Sequence, residues 1–384
     1  MDINIEELQP TNEIKISVVG VGGGGSNTIN HIIKHGVEES IKLIALNTDS
    51  QHLKTIEAHS KIQVGEKTTC GLGAGMNPEI GKRSAEESYD TIKQELEDSK
   101  IVFIATGLGG GTGTGASPIV AKAAKEVGAL VVAVVTKPFR YEGSHREKVA
   151  EEGLKELKNE VDTIIVIPNE KLLSIIDKNL GMKDSLKIVD NVLAQAVTGI
   201  ASFILNDSNG GLNLDYADLN AVMAFRGLGL IGIGDKEGED SAIEAVKEAI
   251  ESPLFDNVSI KGAMGALVHF EVNENYPLLR ITEAASLVEP QLEKTATLKQ
   301  GWSYNNNLAP TQVRVTLVVT GFEKEVMQKD KITNESSQQD EITDLEKSVK
   351  TIQKIKLKKV SGIEDNYYDS LNLDLPTFLR NQQD

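Results

Sequence analysis

The chain has 384 residues, 40% of them apolar and 25% charged, which is enough for two globular domains with sizeable cores. It carries 57 acidic against 40 basic residues, and the net charge of −17 argues against DNA or RNA as the main ligand. The single cysteine, Cys70, excludes an intramolecular disulfide and a cysteine-rich metal site. The acidic N-terminus lacks the order of a signal peptide, and the most apolar stretch, residues 128–135, is shorter than the ~20 residues of a membrane helix. We therefore expect a cytoplasmic protein that neither inserts into membranes nor binds nucleic acid.

Strand and helix patterns alternate from residue 15 to about residue 169. Short runs rich in Val and Ile predict strands over residues 15–20, 42–46, 101–105, 130–136 and 163–167. Longer amphipathic stretches predict helices, including those over residues 77–96 and 117–126. This alternation predicts an α/β fold with a parallel sheet and helices on both faces. A long helix over residues 184–205 has few polar positions and is expected to be buried between two halves of the protein.

A second block follows a turn-rich segment at residues 206–211. A helix over residues 240–250 and strands over 266–272 and 312–320 predict a smaller α+β domain. The predicted boundaries are 1–14 for a flexible N-terminus, 15–181 for the first domain, 182–206 for the central helix and 207–322 for the second domain. Residues 323–368 contain few large apolar side chains and predict a disordered linker, which includes a basic patch at 350–359. Residues 369–384 turn apolar again, which indicates a binding peptide or a tail that folds back onto its own domain.

The first glycine loop, residues 20–27, follows a strand and begins a helix. Glycines allow a backbone to approach a phosphate closely, and a helix N-terminus offers free N–H groups to it. The spacing of Gly20, Gly22 and Gly25, with Asp49 further on, also fits the dinucleotide fingerprint of a nicotinamide-dependent dehydrogenase. A phosphate loop, a dinucleotide loop and a purely structural turn all remain open at this point.

The second glycine loop, residues 107–115, contains six glycines in nine positions. Core packing gives no evident reason for so many glycines, since each one raises the entropic cost of folding. A backbone cradle for phosphate oxygens explains them, with Thr112 and Thr114 as hydroxyl donors. A third glycine loop spans residues 71–78, and loops that follow parallel strands converge on one crevice. Three loops favour a triphosphate with its metal over a dinucleotide, and no GxxxxGK[ST] motif is present.

The second loop also carries a family resemblance. GGGTGTG at residues 109–115 resembles the signature of the tubulin-like GTPases. GVGGGGSN, NTD, GLGAGMNPEIG, TKPF and IPNEKLL are similar to further blocks of the tubulin/FtsZ family, and the resemblance extends from about residue 15 to residue 321 and to the last dozen residues. It implies a tubulin/FtsZ-like fold and a protein that binds and hydrolyses GTP. It also implies head-to-tail polymerisation into filaments of the cytokinetic ring at the mid-cell division site of bacteria.

The resemblance assigns nucleotide contacts residue by residue. It implies that Glu142 and Arg146 contact the ribose and that Asn169 and Asp190 read guanine, because a carboxylate accepts from a donor pair that adenine lacks. Leu186 occupies the place where many relatives stack a phenylalanine on the base. Without the resemblance, Glu142, Arg146 and Asp190 would be interpreted as solvent-facing helix positions. The residues implied in phosphate binding are Gly22, Gly23, Gly24, Gly25, Ser26, Asn27, Ala74, Gly75, Gly110, Gly111, Thr112, Gly113 and Thr114.

The catalytic residues implied by the resemblance are Asn213, Asp215 and Asp218 in a synergy loop. These side chains would reach the γ-phosphate of GTP on the next subunit, and Mg²⁺ is implied where carboxylates meet a triphosphate. Helix capping is the alternative interpretation of both aspartates. A non-hydrolysing filament protein is a further alternative, but it would lack these carboxylates. Residues 373–384 resemble the family's C-terminal peptide, which docks on division proteins such as the membrane tether FtsA.

Overall fold

The computed structural model describes residues 14–35, 40–173, 180–204, 216–223, 225, 227–255 and 260–321. All of them belong to one compact unit. The expected linker, basic patch and C-terminal peptide lie outside the described residues, as do Asn213 and Asp215. Among the described helices, none is long and apolar enough to cross a membrane.

The described strands form a single ten-stranded sheet. Its order is β3-β2-β1-β4-β5-β6-β7-β10-β8-β9, and β10 is antiparallel to both of its neighbours while the other pairs are parallel. The strands are β1 (Ile16–Val21), β2 (Ile41–Asn47), β3 (Ser60–Gln63), β4 (Ile101–Gly107), β5 (Leu130–Lys137), β6 (Thr163–Pro168), β7 (Gly227–Glu237), β8 (Gly265–Val272), β9 (Thr297–Tyr304) and β10 (Gln312–Thr320). All seven predicted strands are present within about two residues of their expected ends.

Twelve α-helices are described, and two predictions among them differ from the structure. The helix expected over residues 117–126 begins five residues earlier, at Thr112. The helix expected over residues 77–96 is two helices, because Ser88 leaves the helical region with φ −107° and ψ 19°. The helices are α1 (Gly22–His35), α2 (Ser50–Thr55), α3 (Glu66–Thr69), α4 (Pro78–Glu87), α5 (Tyr89–Leu96), α6 (Thr112–Glu126), α7 (Ser144–Glu160), α8 (Asn169–Leu172), α9 (Met182–Ala201), α10 (Tyr216–Met223), α11 (Ser241–Ile250) and α12 (Leu278–Ala285).

The parallel part of the sheet is buried on both faces. Alternate residues of β1 enter two different apolar clusters: Ile16 and Val18 pack with α1 and α9, whereas Val19 and Val21 pack with α5, α6 and α7. This arrangement explains the continuous Val and Ile runs and confirms helices on both faces. The expected burial of the long helix is also confirmed, since Val197 of α9 is fully buried.

Strand β7 connects the two blocks of the chain. Residues 227–229 pair in parallel with β6, and the rest of the strand pairs antiparallel with β10. The sequence pattern did not predict β7, because its glycines weaken the strand signal. The structure gives their reason: a Cβ on Gly232 or Gly234 would overlap a backbone carbonyl of α11, so this helix packs directly on the strand backbone. Strands β3 and β9 were also not predicted, since β3 has only four residues and β9 is only partly buried.

Candidate functional site

Two glycine loops meet at the centre of the parallel sheet. Strands β1 and β4 are neighbours, and the order 3-2-1-4-5-6 reverses between them. Helices α1 and α6 follow these strands on opposite faces of the sheet. A Cβ on Gly22 would lie 2.8 Å from the backbone nitrogen of Gly113, so the two helix N-termini are in close contact. A crevice at such a reversal point, with two helix N-termini beside it, is a site for an anionic ligand.

Most glycines of the second loop have a packing role, contrary to our expectation. A Cβ on Gly111 would lie 2.8 Å from the Cβ of Ala74, and one on Gly113 would lie 2.6 Å from the carbonyl oxygen of Gly107. Gly109 has a φ of 93°, which side chains rarely adopt. The conclusion that packing gives no reason for these glycines is therefore wrong. The loop is glycine-rich chiefly because three backbone segments approach one another closely.

A smaller set of glycines borders open space instead. Among the described residues, no atom lies within 4 Å of a Cβ built on Gly23, Gly75 or Gly110. Each of these glycines comes from a different loop, and their neighbours Gly22, Ala74 and Gly111 bring the loops together. At these three positions no described neighbour covers the side of the backbone where a Cβ would stand, so a ligand has room to approach there.

The threonines of the second loop are hydrogen-bonded within the protein, Thr112 to a neighbouring segment and Thr114 to its own loop. The hydroxyl groups of Thr48 and Thr112 share a hydrogen bond of 2.6 Å, and the backbone N–H of Gly109 donates to Thr114 Oγ1 at 2.9 Å. Both Thr112 and Thr114 are buried. The structure therefore places these hydroxyls inside the loop assembly, with their protein partners already in place.

Three buried polar atoms at the predicted site have no hydrogen-bond partner within the described part of the chain. They are Ser26 Oγ in the first turns of α1, Asn169 Oδ1 at the start of α8, and Arg146 Nε in α7. A buried polar atom without a partner costs about 1–3 kcal/mol, so it is normally satisfied by a ligand or water. The residues fit a bound nucleotide in this respect, since each of the three was predicted to contact one.

Glu142 and Arg146 form a pair instead of two separate surface charges. Their side chains are joined by an ion pair of 2.7 Å, and Glu142 is only 17% exposed. The second carboxylate oxygen of Glu142 accepts the backbone N–H of Phe139 at 2.8 Å. The ring of Phe139 stacks on that of Tyr141. The carboxylate is thus held in one orientation at the start of α7.

Asp190 lies on α9 and is largely buried. Burial raises the pKa of its carboxyl group to about 6, because the charged form loses solvation. Leu186 lies one turn earlier on the same helix. Ionising this carboxyl group costs free energy in the free protein. Hydrogen bonds that a bound ligand donates to the carboxylate would recover part of that cost.

A chain of hydrogen bonds that the sequence did not reveal fixes Asn27. The backbone N–H of Asp49 donates to Asn47 Oδ1 at 3.3 Å, which leaves the Asn47 amide to donate to His52 Nδ1 at 3.1 Å. His52 Nε2–H then donates to Asn27 Oδ1 at 3.2 Å. The Asp49 carboxylate caps α2 by accepting the N–H groups of Gln51 and His52. No local pattern marks His52, because its partners come from two other elements.

Of the three predicted catalytic residues, the structure describes Asp218. It lies in the first turn of α10 and forms an ion pair of 2.6 Å with Lys299 of β9. This lysine was not singled out from the sequence.

A cavity of about 800 Å³ lies elsewhere, between α9 and strands β8 to β10. His31, Asn191, His269 and Arg314 are among the residues that line it, and the predicted site residues are not. His31 Nε2 contacts Asn191 Oδ1 at 3.1 Å. The two convergent helix N-termini lie at the crevice and not at this cavity.

The sheet order and the glycine crevice define a nucleotide-binding protein of the α/β class. The GTPase domain of the Tubulin/FtsZ family matches residues 15–177, and the C-terminal domain of the FtsZ family matches residues 227–323. The chain belongs to the FtsZ family. Membership makes it a GTP-binding, polymerising cell-division protein with GTPase activity, and it rules out the dehydrogenase alternative.

The curated relatives agree with this assignment. The chain is 49% and 48% identical to proteins named "Cell division protein FtsZ" from Helicobacter pylori strains J99 and 26695, over 310 residues that cover 81% of this chain and 80% of each relative. It is 48% identical to a solved FtsZ dimer from M. jannaschii, with a TM-score of 0.76 over 80% of this chain and 88% of the other. A protofilament of CetZ2 from Haloferax volcanii shares the fold, with a TM-score of 0.68 at 18% identity and coverage of 85% and 99% of the two chains.

Proposed function

We propose that GTP binds in the crevice where the glycine loops following β1 and β4 meet the loop at residues 71–78. The observation that carries this proposal is the convergence of two helix N-termini and three open glycine positions at the reversal point of the sheet. With a net charge of −17, the protein as a whole repels a triphosphate. Local backbone N–H groups and helix dipoles must therefore supply the attraction.

The proposed contacts with the nucleotide fall into three groups, one each for the phosphates, the ribose and the base. Gly23, Gly75 and Gly110 leave the backbone open to phosphate oxygens, and Ser26 Oγ is available as a donor beside them. The Glu142–Arg146 pair faces the ribose in this proposal. Asn169 and Asp190 read the base: the orphaned Oδ1 of Asn169 accepts a hydrogen bond, and the ionised carboxylate of Asp190 accepts the N1–H and amine of guanine.

Mg²⁺ accompanies the nucleotide in this proposal. A hard cation of this kind prefers oxygen ligands and is usually held by phosphate oxygens, waters and one or two carboxylates. When bound, it neutralises charge on the phosphates. Asp218 is an oxygen donor beside the predicted synergy loop, and because Lys299 already pairs with it, it would add at most one ligand to those that the phosphates and waters supply.

Hydrolysis is proposed to require two subunits. Asn213, Asp215 and Asp218 of one subunit reach the γ-phosphate of GTP bound to the next, in a head-to-tail filament. A water oxygen bonds to the γ-phosphorus while the bond to the bridging oxygen breaks, which yields GDP and phosphate, and the proton lost by water passes to phosphate and solvent. The carboxylates orient that water. Head-to-tail contacts that do not close produce open filaments, so catalysis depends on assembly.

The C-terminal peptide is proposed to recruit partners. Residues 373–384 dock on division proteins, including membrane tethers such as FtsA, and bring the filament to the mid-cell division site in the cytoplasm. Leu375, Phe378 and Leu379 have the i, i+3, i+4 spacing of one helix face. Each single contact is weak, and many tails along one filament bind together with high avidity.

Calorimetric titration of nucleotide-free protein tests the proposed site. GTP and GDP should bind well, and ATP and NAD poorly, because adenine lacks the N1–H and 2-amine donor pair that guanine offers to Asp190. ATP binding as tight as that of GTP would contradict the assignment of Asp190 to the base. Sedimentation of the same samples reports assembly, which is expected with GTP and not with ATP.

A further inference from the structure

We propose that Lys299 is a positioning residue for GTP hydrolysis, acting through Asp218. This inference rests on the proposed role of Asp218 in catalysis on the neighbouring subunit. The observation that carries it is the 2.6 Å ion pair between Lys299 Nζ and Asp218 Oδ1, which joins the first turn of α10 to the edge strand β9.

The geometry gives Lys299 a definite effect on the carboxylate. Asp218 lies in the first turn of α10, which packs beside β8, and Lys299 stands opposite Leu267 of β8 in the sheet register. Both charged side chains are about one-third exposed, so the pair reaches the protein surface without being fully solvated. The lysine therefore fixes the orientation of the carboxylate from a rigid element of the sheet.

Electrostatics gives the lysine a second effect. A carboxylate that approaches a triphosphate is repelled by it, and the repulsion is strongest when the subunits have excluded water. A cation 2.6 Å from the carboxylate offsets part of this repulsion. Lys299 thus lets Asp218 approach the phosphate of the neighbouring subunit while the carboxylate remains ionised.

The test is a double-mutant cycle on GTP hydrolysis, measured as rate per polymerised subunit. K299M should lower kcat by about ten- to a hundredfold, the scale of a misplaced catalytic group, and leave GTP affinity unchanged. K299R, which keeps the charge, should retain most of the rate. K236M is the matched control, because Lys236 forms a comparably exposed 2.8 Å ion pair with Glu248 on β7 and α11, and its rate should equal that of wild type.

The outcomes separate this proposal from the proposed function. If Lys299 acts through Asp218, the K299M/D218A double variant hydrolyses GTP as slowly as D218A alone. A wild-type rate in K299M beside a slow D218A overturns the role of Lys299 and leaves that of Asp218 intact. A double variant that hydrolyses GTP more slowly than D218A alone also overturns the role of Lys299, since the lysine would then act through another group. A normal rate in D218A overturns both. If K299M folds poorly, as judged by urea unfolding, K299Q removes the charge in its place and K299R remains the variant that keeps it.

Discussion

Burial of Asp190 makes a quantitative prediction about stability. The pKa of its carboxyl group rises from 3.8 to about 6 on folding. At about 1.4 kcal/mol per pKa unit, ionised Asp190 destabilises the free protein by on the order of 3 kcal/mol. Because the folded-state pKa is the higher one, this cost is absent below about pH 4, grows between pH 4 and pH 6, and is complete at pH 7. The D190N variant has an uncharged amide at this position and avoids the cost.

Urea unfolding of nucleotide-free protein measures the effect. D190N should be more stable than wild type at pH 7, by up to about 3 kcal/mol, and the two proteins should converge near pH 4. K236M serves as a control, because Lys236 pairs with Glu248 outside the predicted site. Its free energy of unfolding should not show the gain over wild type between pH 4 and pH 7 that is expected for D190N. A D190N protein that is equally or less stable at pH 7 would refute the account of a buried, unpaired carboxylate.

The same variant tests how the base is read. The amide introduced by D190N donates where the aspartate accepts, so the variant should lose GTP affinity by about 1–3 kcal/mol and gain affinity for xanthosine nucleotides, whose base carries a carbonyl in place of the amine. Calorimetry with GDP and XDP measures both changes. Unchanged GDP affinity in D190N would remove Asp190 from the base contact.

Other parts of the protein carry three more predictions. G110A should unfold like wild type yet bind GTP weakly, because its methyl group enters open space where phosphate is expected. G111A should instead lose about 1–3 kcal/mol of stability, because its methyl group overlaps the third loop. Equal stability of the two variants in urea would contradict this difference. H52A should weaken GTP binding by about three- to tenfold, since it releases Asn27, and should have no further effect on GTP affinity in an N27A background. A loss of affinity in the double variant equal to the sum of the two single losses, measured by calorimetry, would show that His52 acts elsewhere. F378A should lose FtsA binding in a pull-down and keep normal GTP hydrolysis and assembly, whereas a defect in assembly would place the tail in the folded core.

The sequence predicted the local elements of the site better than its internal contacts. The first glycine loop begins a helix where expected, at Gly22, because strand, glycine and helix signals are adjacent in the chain. The helix predicted over residues 117–126 begins five residues earlier, at Thr112, because the glycines of the second loop weaken the helix signal. The packing role of Gly111 was not predictable, since the residue that approaches it, Ala74, lies in a different loop.

Long-range contacts explain the remaining differences. The pKa of Asp190 depends on the burial of α9, and the contact of His52 with Asn27 joins two elements that are separate in the chain. Lys299 resembles an ordinary edge-strand lysine until the sheet brings it to Asp218. Neither periodicity nor motif spacing contains this information, which arises only when the elements pack.

The most direct test of the whole account is the GTP hydrolysis rate per subunit across a dilution series, with filament mass measured by sedimentation in the same samples. Because the catalytic carboxylates and the bound GTP are proposed to lie on different subunits, the rate per subunit should rise through a threshold that coincides with the appearance of filaments. Addition of D218A protein should lower the rate per polymerised subunit in proportion to its share of the filament. A rate per subunit that stays constant on dilution below the assembly threshold would contradict the shared site.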